Sequence, residues 1–129
     1  MIQDNTGGQE DLFLALSAGG TAYVLPLSDV GQIVSEAPPD MPEILLSGRR
    51  ERGGGAVIFQ DDAGLAALTV GRVTGIVQLP PSRQFEMPEP ARSPKNRWIA
   101  GVACLEDGRE LAYLLDCRQL RARFLQEAL

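Results

Sequence analysis

Residues Leu12 to Val34 read LFLALSAGGTAYVLPLSDVGQIV, and the pattern inside this stretch decides the architecture. Leu12, Leu14 and Leu16 share one strand face, opposite Phe13 and Ala15. Ala18-Gly19-Gly20 supplies a turn. Beyond it Tyr23, Leu25 and Leu27 share a face across from Val24, so the stretch reads as a hairpin. Pro26 cannot donate to a ladder and marks an edge position or a bulge. The exit, Ser28 to Val34, reads as a short turn of helix or a bent strand carrying an apolar patch.

The same design recurs twice, at Ala56 to Leu79 (AVIFQDDAGLAALTVGRVTGIVQL) and at Trp98 to Leu120 (WIAGVACLEDGRELAYLLDCRQL). A repeated hairpin unit predicts an all-β fold, a small barrel or sandwich. The second unit turns at Asp61-Asp62-Ala63-Gly64, where turn chemistry explains the paired acids better than a cation site does. Its second strand is expected to run on past Gly71 and Gly75, with bulges bending it around a barrel corner. That strand would put Val73, Val77 and Leu79 on one face and Ile76 on the other. The third unit turns at Glu106-Asp107-Gly108. Asp116 as N-cap and Gln119 three residues on then predict a capping box that opens a short C-terminal helix. The helix would turn Leu120, Phe124 and Leu125 inward and leave Arg118, Arg121 and Arg123 in water.

Two connections lack the repeat. Glu36 to Gly55 holds Pro38, Pro39 and Pro42, an Ile44-Leu45-Leu46 run too short to announce a strand, and a Gly48-Arg49-Arg50-Glu51-Arg52 cluster read as a solvated hinge loop. Pro80 to Arg97 contains five prolines and is expected to wrap a surface without regular structure. Phe85 and Met87 either pin it to the core or stand exposed as contacts. Residues 1–11 are polar and read as a disordered lead-in to a single domain over 12–129.

Composition narrows the function. Only 5% of the 129 residues are aromatic, so Leu, Val, Ile and Ala must fill the core. A net charge of −5 argues against nucleic acid and anionic lipid as partners. No apolar run reaches the length of a membrane span or signal peptide, so a cytoplasmic protein with no membrane insertion is expected. Histidine is absent, which excludes Ser-His and Cys-His catalysis and any His-bearing metal site. Cys104 and Cys117 read as buried free thiols. Gly53-Gly54-Gly55 is not followed by the Lys-Ser/Thr of a phosphate loop, and no G-x-S-x-G elbow occurs. Catalytic residues, cofactors and metals are therefore not expected, and the chain reads as a binding protein rather than an enzyme.

Three passages carry a resemblance. Phe13 to Val34, Leu68 to Val77 (LTVGRVTGIV), and Ile99 to Asp116 are similar, in order and spacing, to the opening hairpin, the V-D-x-V-x-x-V strand and the closing hairpin of the CheW family, adaptors between chemoreceptors and the histidine kinase CheA. The resemblance implies a pair of small five-stranded β-barrels. It also implies a receptor-binding groove between them, formed by Val30, Ile33, Val34, Val73 and Ile76. Read from the residues alone, these are core positions, most clearly Val73. Gln32 and Gly71 stand where the family has Glu and Asp. The family's hairpin v-x-G-v-x-n-L-R-G-x-x-x-P-V has no counterpart in Glu36 to Gly55, so the first barrel is expected to be incomplete. The chain resembles in its shortness FrzB, the accessory CheW-like protein of the myxobacterial Frz system. The partners implied are the cytoplasmic domain of methyl-accepting chemoreceptors and, more weakly, the CheA regulatory domain or other CheW-like proteins. A generic barrel module that acts through an open sheet edge, or as a homodimer, is the alternative.

Overall fold

A computed structural model of the chain describes residues 11–87, 96–105 and 110–125. Within them the order is β1 (Leu12–Ala18), β2 (Thr21–Pro26), β3 (Val30–Val34), β4 (Glu43–Leu45), β5 (Gly55–Asp61), β6 (Gly64–Val70), β7 (Arg72–Gln78), β8 (Gln84–Glu86), β9 (Ile99–Cys104), β10 (Leu111–Leu115) and α1 (Cys117–Leu125). The strands form a six-stranded sheet, β7-β1-β2-β10-β9-β8, and a four-stranded sheet, β3-β5-β6-β4. Among the described residues the outermost strands of each sheet do not pair with one another, so neither closes into a barrel.

The opening hairpin forms as its sequence demands. Ala18 faces Thr21 across Gly19 and Gly20, both left-handed at φ 59 and 83, the turn whose twist matches the strands and which glycine alone adopts without strain. Leu14, Leu16, Tyr23 and Leu25 enter a core shared with Ile44, Val57, Phe59 and Leu68 of the other sheet and with Leu115 and Leu120. Phe13, Ala15 and Val24 point the other way, into a smaller core with Leu79, Ala103 and Ala112. Pro26 lies neither on an edge strand nor at a bulge. It ends β2, beyond Tyr23 and Val24, the two residues that β10 pairs with.

The exit segment resolves into a 3-10 turn at Leu27–Asp29 and strand β3, which joins the second sheet beside β5. The strand expected to run through Gly71 breaks there, because the chain changes sheets. The Gly71 amide donates to the Ser17 carbonyl at 2.8 Å as the chain passes from β6 to β7. The Glu51 carboxylate lies against Gly71, where a Cβ would stand 2.5 Å from Oε1, and it accepts the Gly19 amide proton at 2.8 Å, so a side chain at 71 would have to displace it. The bulge expected at Gly75 is present. Ala15 pairs with Gly75 but Leu16 pairs with Val73, leaving Thr74 unmatched, its hydroxyl donating to the Ala15 carbonyl at 3.0 Å. One extra residue inverts the strand's faces. Val73 therefore packs on the shared core while Val77 and Leu79 belong to the smaller one, so these three do not share a face.

Glu36 to Gly55 holds more order than its composition suggests. Ile44 centres β4, which lies parallel to β6 and is 2% exposed. Flanking bonds from the Ala67 amide to the Pro42 carbonyl, 2.8 Å, and from the Leu46 amide to the Thr69 carbonyl, 3.1 Å, lengthen so short a strand. Glu43 accepts from the Thr69 hydroxyl and from Arg50, each at 2.5 Å. With Glu51 on the first turn, these bonds hold the Arg-rich loop in place, though Arg49, Arg50 and Arg52 are exposed as expected. Pro80 to Arg97 is likewise not structureless, since a turn at Pro81–Arg83 leads into β8, paired with β9. Of the lead-in only Asp11 is described, its carbonyl accepting from the Leu79 amide at 2.8 Å. The Glu106-Asp107-Gly108 turn lies outside the described residues, but the β9–β10 pair it joins is present.

Helix α1 corrects three expectations. Asp116 caps it, accepting from the Gln119 amide at 3.1 Å, but the Asp116 amide donates to the Trp98 carbonyl, so the reciprocal half of the box is not made. Leu120 is buried and Leu125 packs on the shared core, whereas Phe124 is 41% exposed against the edge of Trp98, ring centroids 5.8 Å apart. Arg121 is not in water. Its Nε lies 2.9 Å from the Asp61 carboxylate, it donates to the Gly64 carbonyl at 2.6 Å, and its guanidinium sits over the Phe59 ring. This clamp fastens the helix to the β5–β6 turn, where Asp61 also accepts the Ala63 amide proton.

Burial pushes the Asp61 carboxyl up, but Arg121 and the Ala63 amide outweigh it and hold the group below its ordinary 3.8. A depressed folded value means the clamp adds stability above about pH 4 and loses it as pH falls through the lower folded value. Asp61→Asn should cost roughly 1–3 kcal/mol at pH 7 by denaturant unfolding. The difference from the wild-type chain should shrink as the titration is repeated toward pH 3.

Candidate interaction site

Several acids and one thiol lie together at the helix cap. A depression beside the helix cap is lined by Asp29, Gln60, Asp61, Asp62, Asp116, Cys117 and Arg118. Burial, with the nearby Asp29, Asp116 and Asp61 carboxylates, pushes the Cys117 thiol up to about 12, so it stays protonated and un-nucleophilic at neutral pH. Burial and the facing Asp116 raise Asp29, while Asp61 is committed to Arg121. Cys104, half-buried, is likewise a free thiol. Among the described residues no group of three or more acids and thiols is placed to hold a metal ion, and no helix is long and apolar enough to cross a membrane.

What the fold offers instead is apolar surface where its sheets end. On β3, Val30 faces Phe59, Gln32 faces Ile58, Ile33 faces Val57 and Val34 faces Ala56. Gly31 is the unmatched residue of a bulge, and a Cβ on it would press the Ile58 carbonyl at 3.2 Å. Val57 and Phe59 belong to the shared core, so the bulge places Val30 and Ile33 together on the core side although their spacing is odd. On β7, Ile76 faces Leu14 and Val73 faces Leu16, both partners again in the shared core.

Four of the five residues singled out from the sequence thus lie on the mutually facing sides of the two sheets, on an edge strand of each. Val30 and Val73 pack against the shared core. Ile33 and Ile76, 48% and 59% exposed, stand at its rim. Val34 is on the reverse face of β3, with Ala56, and is not brought together with them. Sequence alternation alone missed the Gly31 bulge that pairs Val30 with Ile33; its signal was the glycine inside the strand. Among the described residues the outer strands are also blunted: β3 and β7 are bulged, and β4 and β8 are three residues long, so none of these presents a long flat edge for another strand.

The chain is thus an all-β domain of two sheets with one short C-terminal helix, and exposed apolar side chains remain on its outer strands. No protein-family model matches the chain, and no curated protein matches it. Among solved structures it is similar to the scaffolding protein TtCheW from Thermoanaerobacter tengcongensis, with a TM-score of 0.70 and 17% identity, over 86% of this chain and 87% of that one. The fold is therefore CheW-like.

Rim and core should separate on mutation. Ile33→Ser and Ile76→Ser should each change unfolding free energy by under about 0.5 kcal/mol. Leu14→Ala, one position across from Ile76, should cost roughly 2–5 kcal/mol. Urea unfolding curves of the three variants check this, and a large loss at Ile33 or Ile76 would make them core residues.

Proposed function

We propose that this protein is a non-catalytic adaptor of a bacterial chemosensory array, working in the cytoplasm, that binds the cytoplasmic tips of methyl-accepting chemoreceptors. The likeness to a solved CheW scaffold over 86% of the chain carries this reading. The binding surface is the inter-sheet rim, with Ile33 and Ile76 as the contacting residues and Val30 and Val73 as the floor. A receptor tip is helical, and helices bury apolar residues in grooves between packed elements. The blunted edge strands favour this mode over strand addition or strand-exchanged homodimers.

Coupling to the CheA-type kinase is weak or absent. Where the CheW family carries a full hairpin, this chain has the three-residue β4 and a loop tied by Glu51 and Arg50. The first barrel thereby lacks surface with which to meet the kinase regulatory domain or other CheW-like proteins, a condition shared in this reading with the short accessory FrzB.

Co-purification with a receptor cytoplasmic domain and, separately, with the kinase regulatory domain tests both halves. Receptor binding is expected, weakened at least about tenfold by Ile33→Glu or Ile76→Glu, with little or no kinase binding. Tight kinase binding without receptor binding would overturn the proposal.

A further inference from the structure

One row of side chains crosses the whole six-stranded sheet. The pairings Val73–Leu16, Leu16–Tyr23, Tyr23–Tyr113, Tyr113–Val102 and Val102–Phe85 put all six residues on the face turned toward the four-stranded sheet. That smaller sheet covers only half the row. Leu16 and Tyr23 are 2% and 8% exposed, whereas Tyr113 is 38% and Phe85 54% exposed. Leu111, two residues from Tyr113 on the same face of β10, is 62% exposed. Phe85, the residue whose core or surface role the sequence left open, is a surface residue.

The apolar stripe continues onto the helix. Tyr113 and Tyr23 have ring centroids 6.0 Å apart, Tyr23 and Trp98 6.3 Å, Trp98 and Phe124 5.8 Å. Beside this end lies a depression of about 280 Å³ lined by Arg97, Trp98, Gln119, Ala122 and Arg123. Arg50, Arg118 and Arg121 are paired with Glu43, Asp62 and Asp61. Arg97 and Arg123 make no ion pair with any described residue, although the chain carries a net charge of −5; Arg123 instead lies 5.6 Å over the Phe124 ring.

We propose that this uncovered half-face is a second docking surface, separate from the inter-sheet rim, for an amphipathic helix of a partner protein that carries an acidic group at one end. Charge selects the occupant. Two guanidinium groups that pair with no described carboxylate, at one end of an aromatic stripe, call for a carboxylate set beside an apolar face. A second copy would bring its own arginines to the same place and a like net charge. The geometry selects a helix, because the apolar row lies on the face of the sheet and its edge strand β8 is three residues long.

A displayed library of amphipathic helices, with charges varied at both ends, tests this against the full chain. Binding is read by emission of Trp98, the only tryptophan. The wild-type protein should enrich helices with terminal acids and an apolar stripe. Arg97→Glu with Arg123→Glu should weaken those binders at least about tenfold and enrich basic helices instead. Phe85→Ser with Leu111→Ser should weaken them similarly, and Ile33→Glu should not. No enrichment, enrichment indifferent to charge, or binders unaffected by the Phe85 and Leu111 changes would overturn the proposal. So would concentration-dependent dimerisation in sedimentation that the same changes abolish, since a second copy would then be the occupant.

Discussion

Strand β1 has no face to give to water. Leu14 and Leu16 lie in the core between the sheets, Phe13 and Ala15 in the core of the six-stranded sheet, and β7 and β2 occupy its two edges. A strand buried on every side must be surrounded by elements from distant parts of the chain, and the rest of the topology supplies them. β7 reaches β1 only because the chain leaves the second sheet at Gly71. At that crossing the Gly71 amide bonds to the Ser17 carbonyl, and the Glu51 carboxylate lies against Gly71 while accepting the Gly19 amide proton of the β1–β2 turn. The two glycines and one acid tie the first hairpin, the Arg-rich loop and the sheet crossover at one point.

Unequal sheets then decide which apolar residues remain visible. Four strands cannot cover six, so a cross-strand row that is buried at Leu16 and Tyr23 emerges at Tyr113 and Phe85. The outer strands β3 and β7 are each bulged, and the bulges put Ile33 and Ile76 on the core-facing sides of their sheets, where both stay exposed. Apolar surface of both kinds follows from packing geometry, while the absence of long free edges keeps it from becoming a site of indiscriminate strand pairing.

Much of this was legible in the residues. The period-two alternation put Leu14 and Leu16 opposite Phe13 and Ala15, and Tyr23 and Leu25 opposite Val24, as the two cores have them, and the Gly19-Gly20 pair marked the turn. The glycine at 75 announced its bulge. The consequence of that bulge, the transfer of Val73 to the other face, was hidden because alternation counts positions and a bulge inserts one. Strand β4 was hidden for a different reason: three residues carry no period, and Ile44 is held by pairing with β6, a contact between parts of the chain that no local pattern records. Arg121 was misplaced because helical periodicity puts it on a polar face. The Asp61 carboxylate waiting on that face belongs to a turn 60 residues earlier. Of the candidate contact residues, Val30 and Ile33 lie on one side of β3 and Val34 on the other because of the Gly31 bulge, which alternation does not count.

The central claim is that two edge isoleucines at the inter-sheet rim form the contact surface for a receptor helix. Methyl chemical-shift mapping of the full chain, titrated with a receptor cytoplasmic domain, tests it most directly. The Ile33 and Ile76 methyls should shift and saturate together, with smaller changes at Val30 and Val73 and none at Leu111. Saturating shifts confined to Leu111 and its neighbours, or to the β4 edge, with Ile33 and Ile76 unmoved, would contradict the account.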